Sequence, residues 1–134
     1  MMDAKRIAIG TVVGGLAMFA VGYLIWNIVL DYWVGAFVAA GVARDSELLW
    51  VNALSNVTHA ALVTLAIGWS GSSTIGGGVK VGAIVGCLVW LGVDLAYYAN
   101  TTIFDFTTTI LDPLLTAVHF GIGGGVIAAV LGRR

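Results

Sequence analysis

Four long apolar stretches constrain this chain more than any other feature of its sequence. They cover about residues 7–30, 47–69, 78–98 and 109–132. An α-helix needs about 20 apolar residues to cross the roughly 30 Å of hydrocarbon in a bilayer. The chain is 60% hydrophobic and only 10% charged, whereas a soluble domain carries about a quarter charged residues. The sequence therefore predicts one all-α integral membrane domain, residues 1–134, built as a four-transmembrane-helix bundle.

The first apolar stretch follows Lys5-Arg6, as the core of a secretory signal peptide would. A cleavable signal has an apolar core of about 7–15 residues, and Ile7–Leu30 is clearly longer. We therefore expect this stretch to stay in the membrane as the first span.

Polar residues near two span starts suggest where those helices begin. Ser46 is a plausible N-cap for the second span. The fourth span is expected to begin between Thr107 and Pro113. Asp112-Pro113 is then either its N-cap and first turn or a kink one turn inside it; capping is the role we favour for Asp112.

Basic residues predict the orientation of the bundle. If the chain crosses four times, one side holds Lys5, Arg6, Lys80, Arg133 and Arg134. The other side holds only Arg44, together with Asp31, Asp45, Glu47 and Asp105. Cytoplasmic loops carry the excess of Lys and Arg. Both termini are therefore expected in the cytoplasm, in a bacterial inner membrane.

Aromatic residues cluster near the predicted span ends, where amphipathic rings prefer to lie. They are Trp26, Trp33, Trp50, Trp69, Tyr97 and Tyr98. The longest external connection, residues 31–45, contains Tyr32-Trp33 and Phe37. We expect this connection to include a short helix in the membrane interface.

The two halves of the chain share a weak pattern. Gly10 and Gly14 in span 1 match Gly82 and Gly86 in span 3, and Asn52…His59 has the spacing of Asp112…His119. Each half would be a hairpin of the same orientation, which predicts a parallel two-hairpin repeat; chance alignment of apolar sequences is the alternative. Small-xxx-small pairs, which also include Gly78/Gly82 and Gly121/Gly125, bring helix backbones close together. They indicate tight packing within the chain or, alternatively, dimerisation.

Polar residues inside the spans are expected to face the bundle interior. In span 2, Asn52, Ser55, Asn56 and His59 share one helix face. Span 4 has polar or small residues at similar spacing: Asp112, Thr116, His119 and Gly123. Spans 1 and 3 contribute Tyr23, Asn27, Trp90, Asp94 and Tyr97 or Tyr98. The predicted interior residues are Asn27, Asn52, Asn56, Asp94 and Thr116.

Both histidines of the chain, His59 and His119, lie in spans and at similar predicted depth. Two facing imidazoles can ligate a haem b or related tetrapyrrole from both sides. A His/His/Asp metal site with Asp94 as third ligand is one alternative. A proton or cation path through Asp94, Asp112 and the histidines is another. The simplest alternative is a hydrogen bond from each histidine to a neighbouring helix, with Asp94 paired to Tyr97 or Tyr98.

Several function classes are not favoured. The net charge of −1 gives no general attraction to nucleic acid. The single cysteine, Cys87, lies in an apolar run and provides no disulfide framework. The sequence shows no nucleophile–base pair, phosphate-binding loop or CxxC motif, so we expect no enzymatic activity and no catalytic residue.

Glycine-spaced segments carry a resemblance over most of the chain. These are Lys5-Arg6-Ile-Ala-Ile-Gly-Thr-Val-Val-Gly-Gly, Gly77-Gly78-Val-Lys80, Gly82-Ala-Ile-Val-Gly86, Gly92-Val-Asp94 and the closing Val-Leu-Gly-Arg133. The chain thereby resembles small uncharacterised bacterial membrane proteins of four helices. The resemblance implies a fold and a membrane location, but no activity, and it does not extend to the two histidines.

The leading hypothesis is therefore a non-enzymatic membrane protein, either a homo-oligomer or an accessory subunit of a membrane assembly. Its partners would be lipid and other membrane subunits, and its predicted cofactor site is His59 with His119. A small cation or proton transporter and a purely structural subunit are the alternatives.

Overall fold

The computed structural model describes residues 2–132, and within that range it is all-helical. The elements are α1 (Ala4–Tyr23), a π-helical segment that continues it (Leu24–Val29), α2 (Tyr32–Ala39), α3 (Leu49–Ser70), α4 (Ile75–Asn100) and α5 (Phe106–Leu131). Four helical stretches are long and apolar enough to cross a membrane: Ala4–Val29, Leu49–Ser70, Ile75–Asn100 and Phe106–Gly132. The predicted all-α architecture is confirmed, with four helices that have the length and hydropathy of membrane spans, as in a small membrane protein.

The short connecting helix is also confirmed, since α2 occupies Tyr32–Ala39. The predicted N-cap of the second span is wrong. The helix begins at Leu49, and its N-cap position is Leu48, which makes no side-chain capping bond. Arg133 and Arg134, on which part of the charge asymmetry rests, lie outside the described residues. The orientation and the repeat therefore stay predictions.

Helix α5 begins earlier than the sequence suggested. Asp105 is its N-cap, and the Asp105 carboxylate accepts a hydrogen bond from the Thr108 backbone N–H at 2.7 Å. Asp112 and Pro113 therefore lie within the helix, and the capping role expected of Asp112 is wrong. Because Asp105 satisfies the free N–H groups at the helix start, the Asp112 side chain is available for other contacts.

Helices α4 and α5 are in backbone contact along one face of α4. A Cβ atom added at Gly86 would lie 2.6 Å from Phe120 Cβ, and one at Gly82 would overlap the Phe120 backbone carbonyl. One at Gly78 would overlap the Gly124 carbonyl. These helices can approach this closely only because glycine has no side chain, so the small-xxx-small pairs of α4 serve packing within the chain.

The glycines of α1 make the same kind of contact with α3 and α5. A Cβ at Gly10 would lie 2.8 Å from Thr64 Cγ2, and one at Gly14 would lie 2.5 Å from Ile127 Cγ1. A Cβ at Gly15 would lie 2.9 Å from Val57 Cα. The end of the bundle that holds the start of α1 and the end of α5 is therefore closely packed, and we call it the glycine-packed end.

The buried core lies between these helices and is centred on α5. Its large members are Met18, Val63, Ile67, Phe120, Ile127 and Leu131. Trp50 and Trp69 are 69% and 77% exposed, as expected for rings at a membrane interface. Trp26 and Trp33 are only partly exposed, and they belong to the site described next.

Candidate functional site

The opposite end of the bundle, beneath α2, contains a partly open cavity of about 400 Å³. We call this the α2 end. The cavity extends from Glu47 in the exposed α2–α3 connection to Phe120 in the buried core. Its volume is typical of small-molecule sites in proteins. The bundle therefore holds an internal chamber at one end and close backbone packing at the other.

The polar face predicted for α3 lines this cavity. Asn52, Ser55, Asn56 and His59 are all in its wall. They are spaced by three or four residues, which places them on one side of a helix. Asn56 Nδ2 donates to the Asn52 backbone carbonyl at 3.0 Å, so the face is partly satisfied within α3 itself.

Helix α5 supplies the facing wall. Asp112, Thr116, His119 and Phe120 line the cavity from this helix. The first three are 2%, 1% and 5% exposed. Of the predicted interior residues, Asn27, Asn52, Asn56 and Thr116 therefore line one cavity, while Asp94 is buried and is not among the lining residues.

His119 makes an interhelical hydrogen bond. Its Nε2 atom lies 2.7 Å from the Met18 backbone carbonyl oxygen. A carbonyl only accepts, so Nε2 carries the proton and Nδ1 has the free lone pair. A Cβ added at Gly22 would lie 3.0 Å from Nε2, so glycine gives this ring its room. The hydrogen bond expected of a structural histidine is confirmed for His119.

His59 and His119 lie in the same cavity, with Phe120 beside both. The Phe120 ring centroid is 5.1 Å from that of His59 and 5.4 Å from that of His119. Trp90 packs on His59, with ring centroids 5.9 Å apart, and Trp26 packs on His119 at 5.1 Å. Each imidazole is therefore held among aromatic rings.

Asp112 accepts two hydrogen bonds from the other side of the cavity. Trp26 Nε1 donates to Asp112 Oδ1 at 2.9 Å, and the Tyr32 hydroxyl donates to the same oxygen at 2.7 Å. These bonds connect α5 to the π-helical segment and to the start of α2. Burial, and then the hydrogen bond to Asp112, raise the pKa of Tyr32 above its ordinary value. Its hydroxyl therefore stays protonated and able to donate.

Asp94 is the most unusual residue of the site. It is 1% exposed, and neither carboxylate oxygen has a hydrogen-bond donor among residues 2–132. The predicted pairing with Tyr97 or Tyr98 is therefore wrong for the described residues. The side chain lies instead close to the Asp112 carboxyl. Two carboxyl groups bond to each other only when one of them carries a proton, because a carboxylate has no donor.

The Asp94–Asp112 pair has no Lys or Arg in the cavity lining of the described chain to compensate its negative charge. Two carboxylates in contact in a medium of low polarity cannot both be ionised unless a positive charge compensates them. The Asp94–Asp112 pair can therefore hold a proton, or another positive charge can replace that proton.

Helix α2 contributes an aromatic wall that the sequence analysis did not identify. Trp33, Val34 and Phe37 of this helix line the cavity. The Trp33 and Phe37 ring centroids are 4.6 Å apart, and Trp33 lies 6.1 Å from Trp90. The sequence places Trp33 in an interfacial belt by its position alone. The i, i+4 spacing of Trp33 and Phe37 is the signal that both rings share one helix face.

The predicted metal site is not assembled. Among residues 2–132, no group of three or more His, Cys, Asp or Glu side chains is placed to hold a metal ion. His59, His119 and Asp94 are therefore not brought together as a three-ligand set. Cys87, which is half-buried, is a free thiol outside the cavity lining.

Comparison with known proteins gives no relative: no protein-family model, no curated protein and no solved structure matches the chain. The resemblance to small bacterial four-helix membrane proteins stays a prediction.

Proposed function

We propose that this chain is a small non-enzymatic membrane carrier in which the Asp94–Asp112 pair exchanges a proton for a cation. The observation that carries the proposal is Asp94, a fully buried carboxyl group without a donor, in contact with a second carboxyl group that lines an open cavity. Ionisable residues inside membrane spans are costly and mark ion and proton pathways. A purely structural role would not require two adjacent acids with no basic partner.

The shape of the bundle supports a carrier rather than an open pore. Exposed Glu47 lines the cavity at the α2 end, while glycine contacts bring the helices together at the other end. A site open to one side at a time is the state expected of alternating access. The charge asymmetry of the sequence would place the α2 end outside the cell.

Proton release tests the proposal. Purified protein in weakly buffered detergent solution at neutral pH would receive Na⁺, K⁺, Mg²⁺ or choline as chloride salts, with a pH indicator present. We expect at least one of these cations to release about one proton per chain from the wild-type protein and none from Asp94→Asn. Asp112→Asn should also abolish the release.

Asp105→Asn is the matched control, because it removes a carboxylate outside the cavity and leaves a side chain that caps a helix equally well. It should release protons as the wild type does. The absence of release with all four cations, or equal release from wild type and Asp94→Asn, would overturn the proposal. Circular dichroism and gel filtration would show that each variant is folded.

Tetrapyrrole ligation by His59 and His119 is the second candidate, because both imidazoles line one cavity. Iron would have to coordinate Nδ1 of His119 unless the Nε2 bond to Met18 opened. The absorption spectrum after expression with haem supply is the test. A Soret band that disappears in the His59→Ala/His119→Ala double variant is the expected result. The absence of a band, or its persistence in the double variant, would eliminate this candidate.

A further inference from the structure

We propose that the cavity is an aromatic cage for an organic ammonium ion, and that this ion is the cation accepted in exchange for the proton. The inference rests on the proposed function and adds the chemical class of the substrate. Its basis is the combination of four aromatic rings and two carboxyl groups around one chamber.

The aromatic part of the cage comes from three separate segments. Trp26 belongs to the π-helical segment, Trp33 and Phe37 to α2, and Trp90 to α4. The face of an aromatic ring attracts a cation that lies within about 6 Å of the ring centre, and tryptophan does so most strongly. Rings on several sides would surround a compact ammonium group and replace its hydration shell.

The rings are fixed in place by their neighbours. Trp33 lies 5.7 Å from Phe104, and Phe37 lies 5.6 Å from the same ring. Trp26 is oriented by its bond to Asp112. A cage built before the ligand arrives loses little side-chain entropy on binding.

The carboxyl groups supply the charge at two depths. Asp112 is buried in the cavity wall. Glu47 is exposed, and its two oxygens accept from Asn52 Nδ2 at 2.8 Å and from Asn27 Nδ2 at 3.3 Å. An entering cation therefore meets one carboxylate at the mouth and a second one in the buried wall, and no Lys or Arg lines the described cavity.

An organic ammonium suits this lining better than a metal ion does. Hard metal ions need several oxygen ligands at close range, and no three-residue group of metal-ligating side chains exists among residues 2–132. Most of the wall is ring carbon, which a weakly hydrated ammonium tolerates. The volume of about 400 Å³ leaves room for carbon substituents on the nitrogen.

Choline and its uncharged isostere 3,3-dimethylbutan-1-ol form a matched pair of probes, since they differ in charge and hardly in shape. The reporter is the Trp50→Phe/Trp69→Phe variant, which removes the two exposed tryptophans and leaves three that all line the cavity. We expect saturable changes in tryptophan fluorescence with choline and none with the alcohol at the same concentrations. Tetramethylammonium should act as choline does.

Trp33 is the position that tests the cage directly. In the reporter background, Trp33→Leu should weaken choline binding by roughly three- to thirtyfold, the effect expected of one cation–π contact. Trp33→Phe should retain most of the affinity. Since Trp33 is itself a reporter, calorimetry would measure affinity in both variants, and circular dichroism would establish that they are folded.

The outcomes separate the two proposals. Equal binding of choline and the alcohol, or no binding of either, would overturn the cage. If Na⁺ still released protons through Asp94 in that case, the proposed exchange would survive. If choline binding depends on Trp33 but releases no proton, the aromatic cage would be supported and the proton exchange would be overturned.

Discussion

The two ends of this bundle differ in how closely their helices approach each other. At the glycine-packed end, small residues allow backbones to touch, and a Cβ added at Gly10, Gly14 or Gly82 would collide with a neighbouring helix. At the α2 end, large rings and polar side chains keep the helices apart around a chamber. In lipid, where the hydrophobic drive between helices is weak, the size of the interfacial residues decides how closely helices approach.

One end of this small domain stabilises the fold, and the other end holds the candidate binding site. The glycine contacts bring helix backbones together at the glycine-packed end, so its role is to hold the helices together. The α2 end contains the buried acids, which are costly in lipid, and aromatic rings that line a chamber. We expect substitutions at the first end to affect folding, and those at the second to affect binding.

Gly82→Ala should give the largest loss of stability. Its new Cβ would overlap the Phe120 carbonyl, which is backbone and cannot rotate away. Overpacking of this kind costs about 1–3 kcal/mol, measured by thermal or denaturant unfolding in detergent. Gly92→Ala is the control in the same helix, because nothing lies within 4 Å of its added Cβ. Equal effects at the two positions would refute the close packing of α4 against α5.

Asp94→Asn should have the opposite effect and increase the stability of the folded protein. The introduced side-chain amide can donate to the Asp112 carboxylate without the proton that the folded wild-type pair must hold. Holding a proton at neutral pH, where an ordinary aspartate is ionised, costs the folded state free energy, so the variant should gain stability while it loses proton release. If Asp94→Asn were both less stable and fully active, Asp94 would be an ordinary structural residue.

The same variant should change the dependence of stability on pH. If the folded pair retains a proton that the unfolded chain loses at neutral pH, unfolding releases it, and wild-type stability falls as pH rises. Asp94→Asn should remove most of this slope. His59, His119 and Tyr32 face the same region and are present in both proteins. Tyr32 stays protonated near neutral pH because its pKa is raised, so the difference between the two unfolding curves in that range reports mainly on the pair.

Tyr32→Phe should cause a smaller loss of stability, about 1 kcal/mol, because it removes one hydrogen bond to Asp112. Tyr98→Phe is the control, since Tyr98 is 46% exposed. The pKa of Tyr32 is raised, so its contribution is complete below the ordinary pKa of tyrosine and is lost as pH rises through the folded value. Ultraviolet difference spectra between wild type and Tyr32→Phe should show one tyrosine that ionises late. Ordinary titration of that tyrosine would argue against the bond.

Asp105→Ala should cause the smallest loss of stability, since Asp105 is exposed and only caps α5. Hydrogen bonds from Thr108 lower the pKa of Asp105. Its contribution is therefore present above the ordinary aspartate pKa and lost as pH falls through the folded value. Asp105→Asn should retain the cap, and neither variant should alter proton release. A changed release would show that carboxylates outside the cavity take part.

Much of this architecture could be predicted from the sequence. Span length and hydropathy predicted four helices, and the i, i+4, i+7 spacing of Asn52, Asn56 and His59 identified a face that lines the cavity. The start of α5 was misplaced because Asp105 and Asp112 are both reasonable caps by residue type. The Asp94–Asp112 contact could not be predicted, because it depends on how two helices are rotated and shifted against each other. The aromatic cage was missed because tryptophans near span ends are normally interfacial.

Infrared difference spectroscopy tests the central claim most directly, because it detects a protonated carboxyl group by its C=O stretching band. At neutral pH the wild-type protein should show one such band, shifted in D₂O and absent from Asp94→Asn, and choline should remove it. A protein without a protonated carboxyl band at neutral pH, or with a band that persists in saturating choline, would contradict the account.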